Sequence, residues 1–182
     1  MNVALVEDVD SRIMTRAYLM SFLARQYLVL KQGFDGRYKN PWLVWEPGSW
    51  RAPPVNAAVA ETRLPTSKAP QRAPTGDALC FELSVKPQAT GPLRIGRADD
   101  SELVIADATV SREHCVLRRE GNEWYVKASE SVKSMKVDGQ PLPAGAEAKL
   151  QPGQQLDLGE VKLTFLDPRR FNDRIAATAS KL

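Results

Sequence analysis

The chain has 182 residues, enough for one domain with an extension or for two small domains. Its 43% hydrophobic content supports a packed core, and a net charge of +3 is too small to argue for nucleic acid by itself. One histidine, and two cysteines outside any C-x-x-C pair, argue against a structural zinc site or a Cys/His nucleophile pair.

The first region runs over residues 1–50. Glu7, Asp8 and Asp10 stand where a secretory signal needs basic residues, and Arg16 and Arg25 interrupt the apolar stretch that follows. No membrane span is expected there, because the uncharged run from Ala17 to Ala24 is far too short. Asp10 or Ser11 is placed to cap a helix that continues to about Leu30. Its positions Ile13, Ala17, Met20, Ala24, Tyr27 and Leu28 share one face. Met14, Leu19, Phe22, Leu23 and Val29 lie off that stripe, so the helix needs cover on more than one side, from another element or from a second copy of the chain. Gly33 and Gly36 are expected to end it. Trp42, Trp45 and Trp50, three tryptophans in nine residues bounded by prolines, read as a short aromatic strand or docking segment.

Residues 51–77 read as a linker. Pro53, Pro54, Pro65, Pro70 and Pro74 remove backbone donors, and the apolar content is too low to offset ordering entropy. Residues 78–167 change character to short β-rich runs divided by turn residues, at Gly121-Asn122, Asp138-Gly139, Pro152-Gly153 and Gly159-Glu160. About eleven such strands predict a mainly β chain built as a sandwich. Cys80 and Cys115 fall in apolar runs and read as buried free thiols, which fits a reducing, cytoplasmic setting. In the tail, 168–182, Phe171 and Ile175 stand four apart and predict a short helix that caps the sandwich.

Within this β-rich region the sequence resembles the forkhead-associated (FHA) family. The resemblance rests on Ile95-Gly96-Arg97, Asp107, Val110-Ser111-Arg112-Glu113-His114 with Cys115-Val116-Leu117, Trp124-Tyr125-Val126 and Val137-Asp138-Gly139-Gln140-Pro141-Leu142. Leu150, Gly153, Leu156, Gly159, Val161 and Phe165 follow the family's terminal pattern. The resemblance implies an FHA-like β-sandwich that binds phosphothreonine peptides through loops at one end. Arg97 would supply a planar fork of N–H donors, Ser111 a hydroxyl and Arg112 a second charge, converging on three phosphate oxygens. Gly96, His114 and Gly139 would support the site architecturally. The family carries an Asn-Gly pair in the stretch that here reads Val132-Lys133-Ser134, with Lys133 aligned on the asparagine. Lysine donates but cannot accept, so Lys133 and Ser134 are assigned to the ligand while main-chain readout of the peptide is weakened.

The function expected is a non-catalytic adaptor in serine/threonine-kinase signalling, with phosphothreonine proteins, a kinase or its substrates as partners. No cofactor, metal or nucleic acid is expected. No Ser-His-Asp arrangement, telling carboxylate pair or Gly-rich phosphate loop is present in the sequence. The alternative is a phosphorylation-independent scaffold that works through the N-terminal helix and the tryptophan segment, with homo-oligomerisation through that helix.

Overall fold

The computed structural model describes residues 14–48, 76–84 and 91–182. Trp50 and the run 51–75 expected as a linker lie outside the described residues. The fold is mainly β: two sheets pack face to face, and helices cover the outer face of one of them.

The helix expected from about residue 11 begins at Met20 instead. Met14–Leu19 form strand β1, and Met20–Leu30 form α1. Asp10 and Ser11, the expected caps, lie outside the described residues. Leu19 makes no side-chain cap, while the Met20 N–H donates to the Ala78 carbonyl (2.9 Å) and the Ser21 N–H to the Asp77 carboxylate (3.3 and 3.4 Å). A remote carbonyl and a remote carboxylate therefore satisfy the first two donors of the helix. Helix α1 stops at Lys31, which takes a left-handed conformation (φ 46°). Gly33 and Gly36 lie within a second short helix, α2 (Gly33–Arg37), which buries Phe34.

Strand β2 (Trp42–Trp45) explains how the N-terminal segment and the sandwich fit together. It hydrogen-bonds on one side to β3 (Leu79–Ser84) and on the other to β12 (Val161–Leu166), both antiparallel. The segment expected to lie outside the sandwich therefore supplies a central strand, and β1 adds an edge strand beyond β3. Because Trp45 pairs with Leu79, the chain that leaves β2 returns to the strand beside it.

The seven-stranded sheet has the order β1-β3-β2-β12-β11-β8-β9, where β8 is Met135–Val137, β9 Gln140–Pro141 and β11 Gln155–Leu158. The second sheet has the order β10-β7-β6-β4-β5, with β4 Leu93–Gly96, β5 Leu103–Val104, β6 Cys115–Glu120, β7 Glu123–Ala128 and β10 Glu147–Leu150. Among the described residues only the β4–β5 pairing is parallel. Among the described residues ten strands, β3 to β12, fall in the range 78–167 where about eleven were expected, and β1 and β2 come from the N-terminal segment.

Alternation along β2 distributes its side chains to two cores. Leu43 and Trp45 join Phe81, Leu117, Leu163 and Phe165 between the sheets. Trp42 and Val44 face the other way, into a second cluster with Leu23, Phe34, Phe171 and Ile175 from the helices. Helix α3 (Pro168–Ala179) is capped by Asp167, whose carboxylate accepts the Arg170 N–H (2.9 Å), and starts on Pro168. It buries Phe171, Ile175 and Ala179 along one stripe. The Phe171 ring stacks on Trp42 with centroids 4.0 Å apart and planes within 9°. Arg174 forks onto Glu46 at 2.6 and 2.7 Å, and Thr164 donates to the same carboxylate at 2.7 Å. Burial pushes the Glu46 carboxyl up, but these hydrogen bonds outweigh it and hold the carboxyl below the ordinary range. Trp42 and Trp45 are therefore core residues, unavailable for docking a partner. Cys80 and Cys115 are buried free thiols, and burial pushes Cys115 up to about 12.

A chain that begins at Ala78 tests the role of β2 directly. It lacks the strand that joins β3 to β12 and the ring that stacks on Phe171. Urea unfolding followed by circular dichroism is expected to show a sharp transition for the full chain and none for the shortened one. An equally cooperative transition at the same midpoint would show that β2 is dispensable.

Candidate phosphate-binding loops

At the end of β4 the backbone makes a short crossing with the segment before β6. The Arg97 N–H donates to the Ser111 carbonyl (2.9 Å), the Ala98 N–H to the Arg112 carbonyl (3.0 Å), and the His114 N–H to the Ile95 carbonyl (2.9 Å). Gly96 sits at the closest approach. A Cβ built there would lie 2.1 Å from the Arg112 carbonyl oxygen and 2.8 Å from its carbon, so no side chain fits. The sequence assigned Gly96 to tight backbone geometry, and the geometry here is a close approach between two strands of backbone.

This crossing brings Arg97, Ser111 and Arg112 together. Arg97 is half-buried and reaches across to the second loop, where its Nε donates to the Val110 carbonyl (3.2 Å). That bond anchors the side chain through Nε. Ser111 is half-buried and Arg112 exposed.

His114 fastens the next loop. Its Nδ1 accepts the Ser111 N–H (3.1 Å), so the neutral ring carries its proton on Nε2. Its backbone carbonyl accepts the Ser129 N–H (3.0 Å), and Val132 donates to Ser129 (3.3 Å), which shapes the β7–β8 loop. Burial lowers the His114 pKa to about 4, and the Ser134 backbone acts weakly in the opposite sense. The buried Nε2 faces that backbone without closing to ordinary hydrogen-bond geometry. Through His114 the loop carrying Lys133 and Ser134, both exposed, is tied to the loop carrying Ser111. Gly139 is the exception among the expected supports. It lies with Asp138 in the β8–β9 hairpin, both at positive φ (76° and 50°), at the far end of β8. Its conformational freedom serves that tight turn.

Two braces around these loops were not assigned roles from the sequence. The buried Asp107 carboxylate accepts both the Thr109 N–H (2.8 Å) and the Thr109 hydroxyl (2.6 Å). The same hydroxyl oxygen accepts the Glu160 N–H (3.0 Å), which pins the loop before Val110 to the β11–β12 turn. An Asp-x-Thr stretch is a recognisable Asx-turn signal, but its remote partner is not local information. On the other side, Arg94 forks onto Glu102 at 3.0 Å on both oxygens and donates to the Asp100 carbonyl at 2.6 Å. Burial pushes the Glu102 carboxyl up, and the Arg94 hydrogen bonds more than offset this.

The backbones that carry Arg97, Ser111 and Arg112 thus meet at one end of the sheet, and His114 ties the loop that carries Lys133 to them. The arrangement can receive a multivalent anion: planar donors from Arg97, a point charge from Lys133, and a hydroxyl that both donates and accepts. Among the described residues no cluster has the composition to hold a metal ion, and no helix is long and apolar enough to cross a membrane.

The pH dependence of stability should report His114. Its folded-state pKa lies below the ordinary value of 6.5, so protonation favours the unfolded chain. The contribution is complete above about pH 6.5 and is lost as the pH falls toward 4, by about 3 kcal/mol in all. His114 is the only histidine. Urea midpoints of the full chain are expected to fall between pH 7 and 5, and those of His114→Gln to stay nearly level over that interval. Equal slopes for the two proteins would contradict the buried neutral imidazole.

Residues 82–169 match the family described as inner membrane component of T3SS, cytoplasmic domain. Glycogen accumulation regulator GarA of Mycolicibacterium smegmatis is 33% identical over 78 residues, covering 43% of this chain and 48% of its own. The FHA domain-containing protein FhaB of Mycobacterium tuberculosis is 45% identical over 47 residues, 26% of this chain and 30% of its own. The chain spans about half the length, or less, of the curated relatives it matches. Among solved structures, Mycobacterium tuberculosis EmbR in complex with a low-affinity phosphopeptide aligns with 44% of this chain and 20% of its own, at 26% identity and a TM-score of 0.40. A structure from a study of phosphothreonine-dependent FHA domain interactions covers 69% of this chain and 94% of its own, at 20% identity and a TM-score of 0.45.

Proposed function

Because residues 82–169 carry a forkhead-associated domain, we propose that the chain binds phosphothreonine-containing peptides through Arg97, Ser111 and Arg112 and acts as a non-catalytic recognition module in serine/threonine-kinase signalling. The observation that carries this reading is the backbone crossing at Gly96, which brings the backbones of these three residues together before any ligand arrives. A phosphothreonine carries a charge near −2 and three acceptor oxygens. Arg97, already anchored through Nε, presents its terminal N–H groups with little further loss of freedom. Ser111 donates its hydroxyl to a second oxygen, and the Arg112 charge closes the exposed side. Lys133 and Ser134 meet the ligand from the β7–β8 loop. Lysine there adds attraction to the phosphate and no acceptor for the peptide N–H, so affinity depends more on the phosphate than on the peptide backbone. The partners implied are phosphothreonine proteins, including a kinase or its substrates.

Calorimetry with a phosphothreonine peptide and its unphosphorylated counterpart tests the reading. Binding is expected only for the former. Charge-assisted hydrogen bonds contribute about 1.5–3 kcal/mol each, so Arg97→Ala is expected to weaken it by roughly ten- to hundredfold. Ser111→Ala should weaken it less. Affinity unchanged in both variants would place the phosphate elsewhere.

A second reading is supported by one other observation. Leu19, Phe22, Leu28 and Val29 are the exposed large hydrophobic side chains among the described residues, apart from Leu182 near the chain end. Such a concentration on α1 and its junction with β1 suits docking that needs no phosphate, including self-association. Sedimentation of the full chain against Phe22→Asp reads it: a mass that drops on substitution supports self-association, and a monomer in both cases removes it.

A further inference from the structure

Helix α1 is apolar on two sides, and among the described residues only one side is covered. Met20, Leu23 and Ala24 are buried, and the Tyr27 ring packs beside them on Phe34. At about 100° per residue, Phe22, Arg25 and Val29 point the opposite way, with Leu28 on the flank. Val29 is 82% exposed, and Leu19, Phe22 and Leu28 are half exposed. Phe22 stacks on Tyr18 with planes within 1°, so the apolar surface continues from α1 onto the end of β1.

The charges of this segment are nearly all of one sign. Residues 14–39 carry Arg16, Arg25, Lys31, Arg37 and Lys39 against one acid, Asp35, a net of +4 where the whole chain has +3. All five cations are exposed. Among the described residues no ion pair engages Arg16, Arg25 or Lys31. Arg25 stands on the outer face itself, between Phe22 and Val29, and Arg16 lies on the same side of β1 as Tyr18. Asp77, at the start of the helix, is held by the Ser21 and Ala78 N–H groups.

We propose that α1 and the end of β1 lie on an anionic lipid surface, with Phe22, Leu28 and Val29 entering the headgroup boundary and Arg16, Arg25 and Lys31 meeting the lipid headgroups. This names the partner for the phosphate-independent docking described above and rests on that reading. Charge selects the occupant. A second copy of the chain would bring +4 against +4, whereas an anionic bilayer attracts each cation and takes up the apolar side chains between them. With 11 residues, α1 is too short to span a bilayer and suited to lie along one. The phosphate-binding loops stay open in this arrangement. β1 is one edge of the seven-stranded sheet, and five strand spacings, about 24 Å, separate it from β8, which directly follows Lys133 and Ser134. A docked chain therefore keeps its phosphothreonine site accessible.

Flotation of the full chain with lipid vesicles tests this. Vesicles of phosphatidylcholine and phosphatidylglycerol at about three to one are expected to carry the protein up, and vesicles of phosphatidylcholine alone to carry little of it. Phe22→Ser and Val29→Ser are each expected to lower the partition coefficient by about five- to tenfold, the scale of withdrawing part of one apolar side chain from the interface. Val29 is open to solvent, so its variant reads the surface even if Phe22→Ser loosens the fold. Arg25→Gln should lower the coefficient by about fivefold. Excess O-phosphothreonine is expected to leave flotation unchanged. No flotation with anionic vesicles, flotation that O-phosphothreonine abolishes, or flotation that survives both apolar substitutions overturns the lipid site. A chain that does not float but sediments as a dimer, dissociated by Phe22→Asp, overturns the lipid site and leaves the docking reading standing with a second copy as occupant. A monomer that does not float overturns both.

Discussion

The phosphate site proposed for this chain depends on the place where the Arg112 carbonyl oxygen occupies the volume of a missing side chain at Gly96. Two loops that leave different strands approach to backbone contact there, and three backbone hydrogen bonds in all flank the contact and hold them. A methyl group at Gly96 would have to push the loops apart by more than an ångström, since 2.1 Å is far inside van der Waals contact. The constraint acts on Arg97, Ser111 and Arg112 together, because they are the residues whose backbone forms the crossing. Site and fold are therefore one structure at this point.

The remaining supports reinforce that crossing from three directions. Asp107 and Thr109 pin the second loop to the β11–β12 turn, Arg94 and Glu102 brace the first loop, and His114 ties in the β7–β8 loop. Each is a buried or half-buried polar group with its partners supplied, which is the condition under which such groups add rigidity rather than cost. His114 differs from the others because its Nε2 is incompletely satisfied and its low pKa makes the support conditional on pH.

The elements legible in the sequence were those set by local pattern. The short strands from Leu93 onward alternate in the way a half-buried sheet requires, their turn residues sit between them, and Phe171 and Ile175 mark the last helix. The loop motif was legible for a related reason: Gly96-Arg97 and Ser111 to His114 are contiguous short runs, each acting through its own backbone. What was not legible depended on distant partners. Trp42 to Trp45 are too few residues to declare a central strand, and their pairing partners lie at Leu79 and beyond Val161. The start of α1 is set by Asp77 and Ala78, far along the chain, which no local capping signal reveals. Residues 14–19 carry a helix-compatible composition and become a strand because β3 offers an edge. Gly139 followed the family motif into the site on paper, whereas the hairpin needs it for a positive φ.

The central claim, that a phosphate is held between Arg97, Ser111 and Arg112, is tested most directly by following the amide and arginine Nε resonances of the labelled full chain while O-phosphothreonine is added. The account predicts saturable shifts at Arg97, Ser111, Arg112 and Lys133, the Arg97 Nε among them, and none with threonine. Shifts confined to α1 and β1, or no response to the phosphate at all, would contradict it.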